Sequence, residues 1–120
     1  MLLIKEPPIS TIANHFDGPE IVDICVAYSN GVALVALTGE LDVSNSEWLF
    51  ECLHDAIDAG ASEVVVNVEH LTFMDSTGLA VIMGAYKRMK ATGGTLSVLA
   101  PTPIVVKLFH IFEDVPQLII

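Results

Sequence analysis

Basic residues are scarce in this sequence. Its 120 residues include 5 lysines and arginines against 15 aspartates and glutamates, and the formal net charge is −10 at pH 7. The charge is −12 over residues 1–85 and +2 over residues 86–120. Nucleic acids and anionic membrane surfaces are bound by clustered lysine and arginine side chains, so we expect neither as a partner. A protein partner with a basic face fits this composition better, although acidity also serves solubility.

Long apolar runs and cysteine pairs are also missing. No run approaches the roughly 18 apolar residues that a membrane-spanning helix needs. The apolar run before Lys5 is too short for a secretory signal, so we expect a cytoplasmic protein. Cys25 and Cys52 form no CxxC pattern, and the 4 histidines have no metal-ligand spacing. We therefore expect no disulfide, no metal and no other cofactor.

The pattern of the chain separates an extension from one domain. Residues 1–20 contain Pro7-Pro8 and Gly18-Pro19, which interrupt regular structure. We expect an amino-terminal extension there, as a loose tail or as a strap across the sheet. Residues 21–120 show regular periodicity, and their length suits a single domain.

The domain begins with a predicted hairpin. Residues 21–28, IVDICVAY, alternate between two faces, which predicts a strand. Asn30-Gly31 favours a tight turn, because both residues tolerate positive φ. Residues 32–39, VALVALTG, are then an apolar strand paired antiparallel to the first.

Helical and strand patterns alternate after the hairpin. Ser44 and Glu47 have the spacing of a capping box, before an amphipathic helix that Gly60 ends. Residues 63–68, EVVVNV, are typical of a strand buried on both faces. The remaining predictions are a helix to about Thr92, a strand over 95–100, a helix with Thr102 as its N-cap and Pro103 as its first residue, and a closing strand over 115–120. The order predicts an α/β fold with one mixed central sheet, an antiparallel hairpin followed by strand–helix units, and helices packed against the sheet.

A polar group interrupts two apolar runs in FMDSTGLAVIMGAY, residues 73–86. Asp75 or Ser76 can cap a helix, whose first turn offers unpaired N–H groups that suit a hydroxyl and suit a phosphate better. Residues 79–86 carry no charge, so this helix is apolar around its circumference for two turns. Either both sides are buried within the domain, or one side is an apolar patch for a partner.

Two turns follow strands in this predicted order, at residues 38–46 and 70–78. In strand–helix units such turns gather at one end of the sheet and carry function. We therefore expect these two turns to lie side by side.

Residues 73–109 closely resemble the phosphorylatable segment of bacterial anti-sigma factor antagonists, which are STAS-domain proteins. The shared pattern is an apolar pair, Asp-Ser-Thr-Gly-Leu, an apolar helix, a Gly-Gly turn, a strand and a proline at the next helix start. GELD at 39–42 is similar to the other recurrent loop of the family. The resemblance covers residues 21–120 and implies a STAS domain there.

This resemblance implies a partner switch. The unphosphorylated protein would bind an anti-sigma factor that is also a serine kinase, and would thereby release the sigma factor. Phosphorylation at Ser76 would end the binding, and a metal-dependent serine phosphatase would restore it. Thr77 offers a second hydroxyl that a kinase could modify. The implied partner-binding residues are Glu40, Leu41, Asp42, Asp75, Ser76, Thr77, Gly78, Leu79 and Met83.

Two other functions remain open from the sequence. The STAS scaffold also resembles accessory subunits of transporters and sensory assemblies, in which the same helix could dock without phosphorylation. A hydrolase would use Ser76 as nucleophile and His70 as base, with Asp75 or Asp42 to orient it. Met74 stands where the Gly-x-Ser-x-Gly elbow needs glycine, so we expect no enzyme and no catalytic residue.

Overall fold

The computed structural model describes residues 10–12 and 22–109. Its elements in chain order are β1 Ser10–Ile12, β2 Val22–Ser29, β3 Val32–Leu41, α1 Ser46–Asp58, β4 Glu63–Met74, α2 Ser76–Ala91, β5 Thr95–Leu99 and α3 Pro103–Phe109. The closing strand predicted over 115–120 and the predicted domain boundary at residues 20 and 21 lie outside the described residues.

The described strands form one mixed sheet in the order β1-β2-β3-β4-β5. β2 pairs antiparallel with β1 and β3, and β4 lies parallel between β3 and β5. Asn30 and Gly31 have φ values of 51° and 84°, as the predicted tight turn requires. The α/β fold is therefore confirmed. Residues 10–12 lie in the segment predicted as either a loose tail or a strap, and they extend the sheet beside β2.

Helices α1 and α2 contact each other and pack on the same face of the sheet. The connections β3–α1–β4 and β4–α2–β5 are expected to be right-handed crossovers. Because both step in the same direction across the sheet, they place both helices on the same face. On β4 the side chains of Val64, Val66 and Val68 are buried there, whereas Val65 and Asn67 on the other face are only half-buried. The prediction of a strand buried on both faces is wrong, because the two crossovers cover one face.

Two irregularities lengthen β4 relative to β3. The pairing register slips at two places near the ends of these strands, each time with an extra residue on β4. Its buried side chains then recur at every third position, at Val68, Leu71 and Met74. This spacing matches neither the strand nor the helix period. Residues 40–41 and 70–74, predicted outside the strands and within turns, therefore belong to strands.

Helix α1 begins at Ser46 with Asn45 in the N-cap position, one residue after the predicted Ser44. The backbone N–H and the hydroxyl of Ser44 both donate to Oδ1 of Asp42, at 2.9 and 2.6 Å. Asn45 is buried, and its side chain accepts from the Asp42 N–H and donates to the Glu40 carbonyl. The capping-box prediction is wrong, because the Ser44 hydroxyl bonds to the Asp42 carboxylate and the Asn45 side chain bonds to the loop backbone, so neither side chain caps the first helical turn.

Candidate functional site

The ends of β3 and β4 bring the two predicted loops together. Leu41 pairs with Met74 in the parallel register, so the residues that follow each strand emerge side by side. The backbone N–H of Asp75 donates to the Leu41 carbonyl at 3.2 Å and joins the loops directly. The expectation that these loops lie next to each other is confirmed.

Asp75 is the N-cap of α2 and the centre of this junction. Its Oδ1 accepts from the backbone N–H groups of Thr77 and Gly78, at 2.9 and 3.1 Å, and from the Thr77 hydroxyl. The Val43 N–H also donates to this carboxylate. Burial alone would raise the pKa of Asp75, but these hydrogen bonds outweigh it and hold the pKa below its ordinary value. One ionised side chain therefore fixes both the helix start and the neighbouring loop.

Gly78 allows the start of α2 to lie tightly against the ends of both strands. A Cβ at this position would stand 2.6 and 2.8 Å from two side-chain carbons of Leu41 and 3.0 Å from Cγ of Met74. Real Cβ atoms almost never make contacts below 3.0 Å, so a larger residue at this position would require Leu41 or α2 to shift. The close approach sets the height at which Ser76 stands above the sheet.

Ser76 and Thr77 are adjacent hydroxyls in different surroundings. Ser76 is the first residue of α2 and is exposed, and its hydroxyl has no hydrogen-bond partner among the described residues. Thr77 is half-buried, and its hydroxyl donates to Asp75. The Ser76 hydroxyl is therefore available to an enzyme that modifies this loop, whereas the Thr77 hydroxyl is already hydrogen-bonded to Asp75.

Exposed apolar and acidic side chains lie at the ends of β3 and β4 and in the loop after β3, next to the start of α2. Val43 is 73% exposed and Phe73 is 43% exposed, so both side chains leave apolar surface open to a partner. Glu40 is exposed and Asp42 half-buried in the adjacent loop. Sequence reasoning missed Val43 and Phe73, because single apolar residues outside a periodic pattern give no signal. Together these side chains form a surface suited to contact with another protein.

The predicted partner-binding residues divide by exposure. Glu40 and Ser76 are exposed, and Asp42, Asp75 and Thr77 are half-buried; the buried members are Leu41, Gly78, Leu79 and Met83. In this conformation the buried residues support the surface from beneath, and the other residues are available to a partner.

The apolar run of α2 does not form a large apolar patch on the described surface. Leu79, Ile82 and Met83 are buried against the rest of the domain. The outward side presents Ala80 and Gly84, which are exposed and small. The sequence left open whether both sides of the helix are buried within the domain or one side is an apolar patch for a partner. The large apolar side chains are buried within the domain, and the exposed side carries small residues.

His70 is poorly placed to act as a base for Ser76. It lies within β4, is exposed, and has Glu69 3.9 Å away. From His70 to Met74 the chain runs through extended strand, which spans about 13 Å at 3.3 Å per residue. A general base must lie within hydrogen-bond distance of the hydroxyl it activates, so this arrangement disfavours a Ser-His pair.

No three His, Cys, Asp or Glu side chains in the described ranges are grouped so that they could hold a metal ion. No helix in residues 22–109 has both the length and the apolar character needed to cross a membrane. Cys52 is buried, and burial with nearby Asp55 and Glu51 raises the pKa of its thiol to about 11, which makes it unreactive.

The sequence matches known proteins over most of its length. The STAS domain model matches residues 24–114. An anti-sigma F factor antagonist of Paenibacillus polymyxa is 36% identical over 88 residues, covering 72% of this chain and 75% of the relative. An anti-sigma-B factor antagonist of Staphylococcus aureus is 34% identical over 77 residues, covering 64% of this chain and 71% of the relative.

Solved structures show the same fold. The anti-sigma factor antagonist SpoIIAA in its unphosphorylated form has a TM-score of 0.72 and 27% identity, over 81% of this chain and 85% of that one. The phosphorylated form of the Bacillus cell fate determinant SpoIIAA has a TM-score of 0.70 and 26% identity, over 81% of this chain and 88% of that one. Both forms of that protein are thus similar to the present structure.

Proposed function

The chain belongs to the STAS domain family, and we propose that it is an anti-sigma factor antagonist switched by phosphorylation of Ser76. In its unphosphorylated form it binds an anti-sigma factor that is also a serine kinase, and the sigma factor is released. The kinase phosphorylates Ser76 and ends the binding, and a metal-dependent serine phosphatase restores it. We place this cycle in the cytoplasm, where a sigma factor acts.

The observation that carries the proposal is the contrast between the two adjacent hydroxyls. Ser76 is exposed at the start of α2, while Thr77 donates its hydroxyl to Asp75. Modification of Thr77 would remove the bond from its hydroxyl to the N-cap residue Asp75, whereas modification of Ser76 removes no bond to Asp75. The site therefore favours a switch that changes the surface and preserves the fold.

A phosphate on Ser76 would act mainly on the partner. It adds about −1.5 to −2 charges and three strong acceptor oxygens, which the start of a helix tolerates. The nearby charged residues Asp42, Asp75 and the exposed Glu40 are all acidic, so they do not neutralise the phosphate. A partner docked here would have to bury this charge, and each 1.4 kcal/mol that the burial costs weakens binding about tenfold. Docking can therefore be lost without unfolding.

Phosphorylation is tested with the purified kinase from the same host, ATP and intact-mass measurement. We expect one phosphate on the wild type, mapped to Ser76 by digestion, and none on Ser76→Ala. Ser29→Ala is the matched control, because Ser29 is also an exposed serine. It lies at the end of β2 beside the start of β3, whereas the candidate site lies at the opposite end of β3. Phosphate on Thr77, or retained on Ser76→Ala, would contradict the assignment.

Binding to the same kinase tests the switch itself. Ser76→Ala should keep wild-type affinity when ATP is present, and Ser76→Asp should bind at least about tenfold more weakly, because its carboxylate would be desolvated in the interface. Equal binding of the two variants would exclude Ser76 as the switch. Binding of a partner without any phosphate transfer would instead support the alternative function, an accessory STAS subunit.

A further inference from the structure

In the described ranges, the face of the central sheet opposite α1 and α2 is left partly open. The middle of this face is formed by alternate residues of β2, β3 and β4. These residues are exposed or half-buried, whereas the residues between them are buried on the covered face. We call the following six residues the open sheet face: Cys25, Ala27, Leu34, Ala36, Val65 and Asn67.

The open sheet face carries no charge, although the protein as a whole has a formal net charge of −10. Acidic side chains stand in the rows at its two ends, where Asp23 pairs with Thr38 and Glu63 pairs with Val32. A basic partner would find no opposite charge in the middle of this face, because charged groups bind where the opposite charge faces them. The surface that matches the open sheet face is therefore apolar and uncharged at its centre.

Leu34 is the most prominent side chain of the open sheet face and is 38% exposed. Its cross-strand neighbours are Ala27 and Val65. Ala36 lies two residues further along β3 on the same face, beside Cys25. A large side chain thus stands next to small ones, which is the pattern by which two packed layers interdigitate. A second copy, turned about a two-fold axis, would place its Leu34 over the small residues of the first.

The size of this side of the sheet is sufficient for a weak contact between two copies. Neighbouring strands lie about 4.8 Å apart and eight strand residues span about 26 Å, so strands β2 to β5 present roughly 500 Å². Two such faces would bury roughly 1,000 Å² in total, which is near the lower limit for a specific interface. A contact of this size predicts a dimer that forms and dissociates with concentration.

We propose that the open sheet face is the contact between two copies of this chain in solution. Face-to-face packing is the usual way in which two sheets cover each other. A two-fold contact uses the same patch on both copies, so this chain supplies both halves of the interface. Ser76 begins α2, which packs on the opposite face of the sheet, so a dimer would leave both Ser76 sites exposed.

Sedimentation equilibrium of the full chain, from about 5 to about 300 µM, tests the proposal. We expect a reversible dimer with a dissociation constant in the range of about 1–100 µM. Raising the salt concentration from about 0.05 to about 0.5 M should strengthen the dimer, because salt screens the repulsion between two acidic chains. A monomer at every concentration would overturn the proposal, and so would a dimer that salt dissociates, because that dimer would be held by charge pairs.

Leu34→Glu and Phe50→Glu are matched variants that locate the contact. Each replaces an exposed apolar side chain with a carboxylate, but Phe50 is 47% exposed on α1, away from the open sheet face. Leu34→Glu should raise the dissociation constant at least about tenfold, because it brings two carboxylates into the middle of the interface, and Phe50→Glu should change it by less than about twofold. Equal effects of the two variants would place the contact elsewhere and overturn the assignment.

Cys25 gives a readout in the wild-type protein that no folding defect of a variant can affect. Its thiol is exposed in the single chain and would be covered in the dimer. The rate constant for thiol labelling at Cys25 should therefore fall at least about threefold as the dimer forms over the same concentration range. A rate constant that stays the same while the protein dimerises would show that another surface forms the contact, against this proposal.

Discussion

Replacing Asp75 by alanine should destabilise the protein while leaving Ser76 in place. The change removes the acceptor of two backbone N–H groups of the first turn and of the Thr77 hydroxyl, and also the bond from Val43. Loss of an N-cap costs about 1 kcal/mol, and hydrogen bonds to a charged group are worth about 1.5–3 kcal/mol. The bonds share one partly exposed acceptor and are not additive, so we expect a loss of about 2 kcal/mol.

Urea unfolding at pH 7 measures this loss, and a thermal scan should show a fall in Tm of about 8 °C. Asp75→Asn keeps one acceptor oxygen and should lose only about half as much. Ser76→Ala is the control that should stay within about 0.5 kcal/mol of wild type, because the Ser76 hydroxyl has no partner in the described structure. An unchanged midpoint for Asp75→Ala would refute the argument that this carboxylate joins the two loops.

The same carboxylate gives the prediction a pH dependence. Hydrogen bonds hold the pKa of Asp75 below its ordinary value in the folded protein, so the unfolded chain takes up this proton first as pH falls. The stabilisation is complete above about pH 4, the ordinary range for aspartate, and is lost as pH falls through the folded pKa. The difference between wild type and Asp75→Ala should therefore be largest near neutral pH and shrink in acid.

Three further predictions concern packing, reactivity and histidine ionisation. Gly78→Ala should destabilise the protein by about 1–3 kcal/mol through overpacking, whereas Gly84→Ala should stabilise it by about 0.5–1 kcal/mol in the same urea titration; equal effects would contradict the two environments. Thiol labelling at pH 8 should modify exposed Cys25 well before buried Cys52, whose pKa is raised to about 11; similar rates would refute that difference. Burial, then the nearby guanidinium, lowers the pKa of His54, so its contribution to stability is complete above about pH 6.5 and declines below it. His54→Gln should show a smaller loss of stability than wild type between pH 7 and 5, and equal losses would count against this assignment.

Element types could be predicted from the sequence because local patterns encode them. The alternation in β2, the Asn30-Gly31 turn and the helical start at Pro103 all depend on neighbours within a few residues. The motif around Ser76 was likewise visible, since N-cap chemistry needs only adjacent residues. These features gave the α/β fold and the position of the exposed hydroxyl.

The loop interactions depended on partners remote in sequence. Asp75 bonds to Val43, and Gly78 packs on Leu41, only because β3 and β4 pair in one register. The extra residues in β4 changed its burial spacing and concealed the last part of the strand from a period-based prediction. Side-chain bonds of Asn45 to the loop backbone overrode the local capping preference of Ser44.

The sequence by itself determined that a serine would stand at the start of an apolar helix after a buried strand. Tertiary structure decided which sides of that helix would be covered, because a segment that is apolar all round contains no preference for one face. Packing against the sheet and α1 buried Leu79, Ile82 and Met83 and left Ala80 and Gly84 exposed.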